Sequence, residues 1–460
     1  MTTLTFYGGA GEIGGNKILL EDKGVKIYLD FGQSFNFGDE FFLDYLKPRT
    51  ANGLEVYFEF GLVPKLPKLY SQTMLSRTDL AYKPSDIDAV FISHVHSDHV
   101  GHLPFLDESI PVYMGHGAHQ LAEAYHKLYP GLFDVGEHKL HLFKSGDKIK
   151  VGHLIIEPIH VEHSVPGAYG FIVHTSSGVI VYTGDFRMHG PKSLFSREFI
   201  AKAASVKPKV LLIEGTRMGQ DVEHNFTEEE VGKKALEVIK ASKGVVFTYF
   251  SMMNTDRFLT FYEAAKKAGR VLVIDTKLAY ILDMMKDKIA LPDVLTDKHL
   301  KVYFRISKSC TYHEKDYYVY ERPYLKNMIT AEEVGKHPKK YVMHMGFFKL
   351  MELVYIKPLK ADFIYSQSEH FLEGEENEEQ REVLMNWMKH YGITFHKAHC
   401  SGHCSRKDLL ETVKAINPEI LVPVHTENGE GYREVHDDVR VVKRGETIEI
   451  GKKVGKRRRG

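Results

Sequence analysis

Short apolar segments recur along this chain, and several are followed closely by a residue that can titrate or bind a metal. Residues 89–92 are entirely apolar and end two positions before His94. Four further segments behave alike, namely 154–159 before His163, 179–182 before Asp185, 210–213 before Glu214, and 420–422 before His425. Segments of this length and composition predict buried β-strands. Because functional groups in layered α/β folds gather where strands end, we expect these side chains to converge at one edge.

Residues 214–394 show a different pattern, in which helical and strand periods alternate. Thr227 and Glu230 form the Thr-x-x-Glu pattern of a capping box, which predicts a helix through residue 239. Strands are predicted at 245–247 and 271–274, with an amphipathic helix at 255–267 between them. Such alternation is typical of a parallel sheet with covering helices. Because candidate site residues lie on both sides of this region, we predict that it is a domain inserted into a first one.

Residues 36–83 lack a clear period and are rich in aromatic residues, proline and basic residues. The segment is long for a connection between two strands. It is consistent with a lid or a substrate-contacting arm, and equally with a packed cover over the sheet or a dimer contact. The sequence leaves these interpretations open.

Composition narrows the class of protein. The chain has 460 residues, 43% of them hydrophobic, which predicts two or three folded domains. It has no apolar run long enough to span a bilayer, so we expect a soluble cytoplasmic protein. Three cysteines argue against a disulfide framework, and we expect Cys400 and Cys404 to be small buried thiols. The 61 basic and 61 acidic residues balance, and the basic tail at 452–459 is either a phosphate contact or a solvated end.

The segment 94–99 carries the most specific chemistry of the chain. His94, His96, Asp98 and His99 lie within six residues. Imidazole and carboxylate groups are ligands of zinc and similar divalent metals, and no packing role needs these residue types together. Four such groups exceed what one open catalytic site usually takes from the protein. The spacing therefore predicts two adjacent metals.

This H-x-H-x-D-H motif resembles the signature of the metallo-β-lactamase superfamily. The resemblance implies an α/β fold of the αββα type, in which two sheets are flanked by helices and the metal site lies along one sheet edge. It also implies that Asp30, at the end of a predicted strand, accepts a hydrogen bond that orients the metal ligands. The motif is specific for the superfamily but not for a reaction.

Three further residues make the chain similar to the β-CASP branch of that superfamily, which processes nucleic acids. Glu214 in Ile-Glu-Gly-Thr matches the first motif of the branch, His403 in Ser-Gly-His-Cys the second, and His425 in Val-Pro-Val-His the third. Histidine at the third position is the form associated with RNA-cleaving members, and the residues around His403 look most like ribonuclease J, including archaeal versions. The chain departs from that family at Thr426, where a glycine is usual, and in its early insertion.

The resemblance divides the chain into three parts. Residues 1–212 form the first part of the metallo-β-lactamase domain, with the insertion at about 36–83. Residues 213–392 form the inserted parallel-sheet β-CASP domain. Residues 393–460 form the second part of the first domain and end in the basic tail.

The resemblance also implies a ligand set and a mechanism. The two metals are assigned to seven residues with Asp185 as the bridge, one to His94, His96, His163 and Asp185, the other to Asp98, His99, Asp185 and His425. Zinc is expected, two ions per chain, with manganese as the alternative. Such a pair activates water and stabilises the charge that develops on phosphorus, so Asp98 and Asp185 also count as catalytic. His403 is outside this ligand set and is assigned as the general acid that protonates the departing ribose oxygen. Glu214 is expected to keep the His403 ring protonated.

Ribonuclease J relatives hold a 5′-phosphate, and Ser366, Ser368, His399 and Ser401 occupy comparable places here. Ordinary turn serines would look the same. Such a pocket would make the protein a 5′→3′ exonuclease on single-stranded RNA with some endonuclease activity. The resemblance also suggests a homodimer.

Three other functions share part of this pattern. A DNA-directed nuclease of the same branch uses the same phosphodiester chemistry and is the main alternative. A small-molecule metallo-hydrolase would share the first metal motifs, but it has no use for the inserted domain or for His403 paired with Glu214. A non-catalytic scaffold would be expected to have lost metal ligands, and the sequence lacks none of them.

Overall fold

Three β-sheets organise the chain in this computed structural model, which describes residues 1–460 except 36–40, 43–45, 132, 221–225, 369–376 and 452–460. The basic tail predicted at 452–459 lies outside the described residues. The first six strands belong to one sheet: β1 (Thr2–Gly8), β2 (Lys17–Asp22), β3 (Val25–Leu29), β4 (Ala89–Ile92), β5 (Val112–Gly115) and β6 (Leu140–Phe143). Strands β3 to β6 run parallel, so β3 and β4 end at the same edge.

The second sheet faces the first. Its first five strands are β7 (Ile149–Val151), β8 (Leu154–His160), β9 (Tyr169–Thr175), β10 (Gly178–Tyr182) and β11 (Val210–Ile213). Apolar side chains of both sheets form one buried core, which includes Phe6 and Phe91 from the first sheet and Phe171 and Leu212 from the second. The alternation of these residues with outward-facing ones places one apolar face of each sheet in that core.

The third sheet is entirely parallel within the described residues. Its strands are β12 (Val246–Tyr249), β13 (Val271–Asp275), β14 (Leu300–Tyr303), β15 (Met328–Ile329), β16 (Tyr341–His344), β17 (Asp362–Tyr365) and β18 (Thr394–Lys397). The chain then returns as β19 (Ile420–Pro423) beside β11, and β20 (Thr447–Ile450) joins β1. The third sheet is therefore inserted between two neighbouring strands of the second, and its last strand lies beyond the boundary predicted at 392.

Helices cover the outer faces of the sheets. They are α1 (Glu55–Glu59), α2 (Ser97–Val100), α3 (His116–Leu128), α4 (Ser193–Ser205), α5 (Glu228–Ala241), α6 (Thr255–Lys267), α7 (Thr276–Met285), α8 (Ala331–Lys336), α9 (Leu353–Ile356), α10 (Glu378–Tyr391) and α11 (Arg406–Ile416). Helices α4 and α11 pack on the second sheet through Phe199 and Leu409. Helices α5 to α7 cover one face of the third sheet, and α9 and α10 cover the other. The predicted αββα sandwich with an inserted parallel-sheet domain is thus confirmed.

The described part of the 36–83 segment is a packed cover over the outer face of the first sheet. Leu54, Val63, Leu69 and Leu75 are each at most 5% exposed and join a cluster with residues of β3 to β5. Full burial of one such side chain stabilises by about 1.5–3 kcal/mol. A swinging lid would lose that burial each time it opened, so the packing favours a fixed cover.

Local sequence signals agree closely with several elements. The capping box of Thr227 and Glu230 is present at the start of α5, and α6 spans the predicted residues 255–267. Cys400 and Cys404 are buried and unpaired, as predicted, while Cys310 is exposed. Among the described residues, no helix has both the length and the apolar character needed to cross a bilayer.

Candidate active site

The metal-binding motif begins where β4 ends. His94 lies two residues after β4, and His96 precedes α2, whose first turns carry Asp98 and His99. All four side chains stand at the edge where the parallel strands β3 and β4 end, so the short helix presents Asp98 and His99 beside the strand-end His94. His163 follows β8, Asp185 follows β10 and His425 follows β19 at the facing edge of the second sheet.

Three imidazoles form a first cluster of mutually facing nitrogens. His96 Nδ1 is 3.0 Å from His94 Nε2 and 3.1 Å from His163 Nε2. Burial lowers the pKa of His96 to about 4, and burial together with neighbouring imidazoles holds the pKa values of His94 and His163 well below the usual range. The rings are therefore neutral and offer lone pairs, which is the form that binds a metal.

Two carboxylates and two imidazoles form a second, fully buried cluster. Asp98 Oδ2 is 2.9 Å from His425 Nε2, and Asp185 Oδ2 is 3.2 Å from His99 Nε2 and 3.5 Å from His425 Nε2. Burial opposes charge here, but the facing carboxylates raise the pKa of His425 to about 9 and that of His99 well above its usual range. The two carboxylates thus favour positive charge between them, which protons on the imidazoles or a bound cation can supply.

Asp185 connects the two clusters. Its Oδ2 atom is also 3.7 Å from His94 Nε2, and its Oδ1 atom is buried without a hydrogen-bond partner among the described residues. An ionised oxygen buried in this way is costly unless a cation lies beside it. The orphaned oxygen and the converging neutral imidazoles fit divalent metals bound by both clusters.

Asp30 contacts His99, one of the candidate ligands, on the side of the ring that faces away from the second cluster. Its carboxylate accepts hydrogen bonds from Ser93 N at 2.7 Å, Ser93 Oγ at 2.8 Å and the Tyr182 hydroxyl at 2.7 Å, and it lies 2.8 Å from His99 Nδ1. Because the Asp30 carboxylate can only accept, His99 donates to it through Nδ1. The other ring nitrogen, Nε2, therefore faces Asp185. Asp30 has φ of +59°, a strained conformation that its hydrogen bonds maintain.

His403 lies beside both clusters and is held by Glu214 and Thr216. Its Nδ1 atom is 3.3 Å from Glu214 Oε1, 3.2 Å from Thr216 Oγ1 and 3.9 Å from Asp185 Oδ2. Burial alone would lower the pKa of His403, but the carboxylates of Glu214 and Asp185 outweigh it and raise that pKa. A histidine that stays protonated near neutral pH can donate a proton to a leaving group. His163, Asp185 and His403 also form a third group that could hold an ion.

The four residues predicted for a 5′-phosphate pocket are only partly brought together. His399 Nδ1 donates to the carbonyl of Ser366 at 3.1 Å. The Ser366 hydroxyl is buried and already bonds Arg257 and the carbonyl of Ala398. Ser401 Oγ accepts a hydrogen bond from the His403 backbone at 3.1 Å, while Ser368 accepts one from Tyr365 through its carbonyl.

Sequence reasoning missed several residues that support the site. Thr216 Oγ1 bridges two histidines, since it lies 2.8 Å from His425 Nδ1 and 3.2 Å from His403 Nδ1. Tyr182 and Ser93 bind Asp30. The available signal was proximity, because each of the three lies within three positions of a residue already singled out, whereas their types alone suggest nothing.

Thr426 is accommodated by a glycine. A Cβ atom on Gly215 would stand 3.0 Å from both Cβ and Oγ1 of Thr426, so the missing side chain leaves the space that the threonine fills. The departure from the family pattern at Thr426 therefore leaves His425 in the cluster.

Comparison with known proteins gives two family matches. Residues 66–246 match the Beta-lactamase superfamily domain, and residues 394–430 match the Zn-dependent metallo-hydrolase RNA specificity domain. The first segment contains six of the seven cluster residues. The second segment contains the seventh, His425, together with His403.

Several relatives are ribonuclease J proteins. That of Mycoplasma pneumoniae is 22% identical over 93% of this chain and 68% of its own length, and that of Thermus thermophilus is 27% identical over 74% and 58%. That of Helicobacter pylori strain B128 is 23% identical over 92% and 56%. The chain thus spans between about half and two thirds of these relatives.

One solved structure shares the fold throughout. A protein of unknown function from Enterococcus faecalis V583 superposes with a TM-score of 0.77 at 22% identity, covering 97% of this chain and 99% of its own. At this identity the likeness concerns the fold alone.

Proposed function

We propose that the chain is a β-CASP member of the metallo-β-lactamase superfamily and a metal-dependent ribonuclease that hydrolyses phosphodiester bonds of single-stranded RNA. The two family matches and the similarity to ribonuclease J proteins support this proposal. The observation that carries the proposal is the pair of ligand clusters linked by Asp185, with His403 and Glu214 beside them. A hydrolase of small esters needs neither that pair nor the inserted domain. RNA is preferred to DNA as substrate because residues 394–430 match a domain described by RNA specificity.

The proposed enzyme holds two ions per chain. One is assigned to His94, His96 and His163 and the other to Asp98, His99 and His425, with Asp185 shared. Zinc is the proposed ion because imidazole and carboxylate both suit it, and manganese is the alternative. Ions held by these residues would activate water as a nucleophile and neutralise charge on the phosphoryl group.

His403 is proposed as the general acid. Its Nδ1 atom faces Glu214 and Thr216, which leaves Nε2 as the nitrogen able to give a proton to the departing ribose oxygen while the phosphorus–oxygen bond breaks. Glu214, 1% exposed, keeps the ring oriented and charged.

The third ion-binding group gives His403 a competing role as a ligand, and His403→Ala separates the two. A general acid contributes about 100- to 10,000-fold to the rate, so turnover should fall by that factor while two ions remain bound. Loss of an ion in His403→Ala would contradict the assignment.

The proposed polarity is 5′→3′, with some internal cleavage. Its support is the pairing of His399 with Ser366 and the position of Ser401 next to the loop of His403. Since the Ser366 hydroxyl is engaged, a 5′-phosphate would depend on Ser368, His399 and Ser401. RNA with a 5′-monophosphate should then be degraded faster than RNA with a 5′-hydroxyl. Equal rates would contradict the proposed 5′-phosphate pocket.

The decisive test compares 5′-labelled and 3′-labelled RNA and single-stranded DNA of one sequence. The enzyme should degrade RNA in preference to DNA, and the double variant His94→Ala with Asp98→Ala should be inactive. His390→Ala, a change of the same kind at an exposed position, should act like the wild type. A metal-loaded protein that leaves RNA intact would overturn the proposal. Faster cleavage of DNA than of RNA would show that DNA is the preferred substrate.

A further inference from the structure

The three residues before His403 form a loop whose carbonyl oxygens are all held by side chains. The donors come from separate parts of the chain: Arg257 Nη2 to Cys400 O at 3.2 Å, His189 Nε2 and Arg187 Nη1 to Ser401 O at 2.8 and 3.4 Å, and His163 Nδ1 to Gly402 O at 2.7 Å. The loop then continues into His403, whose backbone amide donates to Ser401 Oγ. The path of the backbone into the proposed acid is thus determined residue by residue.

Two of the donors are arginines with no exposed surface. Arg187 lies two residues after Asp185 in the first domain, and Arg257 lies on α6 of the inserted domain. Arg257 Nε is 2.6 Å from Glu228 Oε1, and Arg187 Nη1 is 3.7 Å from Glu228 Oε2. The arginines therefore share one carboxylate and converge on one loop from two domains.

This arrangement is costly in free energy. Burying an arginine is unfavourable unless its hydrogen bonds and charge are compensated, and apolar replacements of such networks are often at least as stable. Arg187 is incompletely compensated, because its Nε and Nη2 atoms lack a hydrogen-bond partner among the described residues. Its Nη2 atom instead faces two carboxylates at longer range, Glu162 Oε1 at 3.4 Å and Asp256 Oδ2 at 3.9 Å. Arg257, by contrast, donates from all three guanidinium nitrogens, so the unmet donors are those of Arg187.

We propose that Arg187 and Arg257 are positioning residues, which place His403 by fixing the 400–402 backbone and so couple the docking of the inserted domain to proton transfer. Arg257 also binds the carbonyl of Ser366 at 2.9 Å, at the end of β17, and thereby ties the loop to the third sheet. The inference rests on the proposed function, since it presupposes that His403 is the acid.

The test uses Arg257→Lys and Arg187→Lys with two substrates. Lysine keeps the positive charge but lacks the planar fork that reaches several acceptors at once. RNA cleavage has an alkoxide leaving group that needs a proton, whereas an aryl phosphodiester with p-nitrophenolate as leaving group does not. Each variant should lose about 10- to 100-fold in kcat on RNA with little change in KM, and should hydrolyse the aryl ester within about threefold of the wild type. Metal content, measured by elemental analysis, should be unchanged.

The chain offers a matched control in Arg270. It is also a buried arginine that donates to two backbone carbonyls, those of Gly244 and Ser242, both at 2.7 Å, but it does not contact the loop. Arg270→Lys should leave both activities unchanged. If Arg257→Lys fails to fold, His189→Leu removes a partly buried donor to Ser401 and should show a smaller loss confined to RNA.

The outcomes separate the inference from the proposed function. Equal losses on both substrates, or wild-type kinetics on RNA, would overturn the positioning role while leaving a ribonuclease. A wild-type protein that cleaves the aryl ester but never RNA would instead count against the proposed function.

Discussion

His163 Nδ1 lies 2.7 Å from the carbonyl oxygen of Gly402. One hydrogen bond thus joins a candidate metal ligand to the residue next to the proposed acid. Because a carbonyl can only accept, the proton of His163 is on Nδ1 and its Nε2 is free to face the first cluster. The candidate metal site and the proposed acid are therefore held by the same backbone.

The substitution Gly402→Ala should disturb both the candidate metal site and the position of His403. An added Cβ atom would stand 2.8 Å from Ser164 Oγ and 3.1 Å from His163 Cε1, so the loop or the ring must shift. We expect both RNA hydrolysis and metal affinity to fall about 10- to 100-fold, the usual effect of losing such a supporting contact. Gly232→Ala in α5 is the control, since its added Cβ atom would meet only Thr260 Cγ2 at 3.3 Å, away from the site, and activity and metal affinity should be kept. Normal kinetics and metal affinity in Gly402→Ala would show that the contact is unimportant.

Asp30→Asn should weaken metal binding. The asparagine amide would present N–H donors to neighbours that are donors themselves, so His99 would lose its orientation. A loss of about 10- to 100-fold in metal affinity is expected in a competition titration with a chelating dye. Tyr182→Phe removes one of the donors and should cost less. An Asp30→Asn protein with unchanged affinity would contradict the orienting role.

Stability at acid pH should depend on Glu228. Burial works against its charge, but Arg257 and Arg187 outweigh burial and lower the pKa of Glu228 to about 2, from 4.5. The unfolded chain therefore binds the proton first, and this stabilisation is complete above about pH 4.5 and lost as pH falls toward about 2. Glu228→Gln should be less stable than the wild type at neutral pH, and urea unfolding should show the difference shrinking in acid. Glu229→Gln, at an exposed neighbour, should show no such trend, and a constant difference for Glu228→Gln would refute the linkage.

The buried ammonium group of Lys17 should lower the free energy of unfolding. Burial, with Arg444 adding repulsion, lowers its pKa from 10.5 to about 7. Between those values the unfolded chain holds more protons than the folded one, so stability rises with pH across this range. Lys17→Met should be more stable by about 1–4 kcal/mol below pH 7, with a smaller gain at higher pH, as measured by urea unfolding. Lys233→Met, at an exposed site, should change stability by less than about 0.5 kcal/mol, and a destabilised Lys17→Met would contradict the prediction.

The parts of the molecule that follow local rules were predictable from the sequence. The apolar segments became strands whose ends bring His163, Asp185 and His425 to the motif at 94–99, because parallel strands end at a common edge. The end of the third sheet was predicted too early, since β18 is an edge strand with little buried surface and a weak apolar pattern. The cover formed by residues around Leu54 has no period to read.

The positioning contacts were not predictable for a different reason. Arg257 and Cys400 are 143 positions apart, and neither residue type marks a function on its own. The fold brings them into contact because Cys400 follows β18 and joins the core cluster that α6 forms on the third sheet. Sequence patterns predict which groups do chemistry more readily than which groups hold them.

A metal titration of the metal-free protein tests directly whether the two clusters support hydrolysis. Zinc or manganese is added in known equivalents, and RNA hydrolysis and bound metal are followed together. We predict that activity is absent without metal and reaches its plateau at two ions per chain, and that the double variant His94→Ala with Asp98→Ala never reaches that plateau. Hydrolysis by the metal-free protein, or a plateau at one ion per chain, would contradict this prediction.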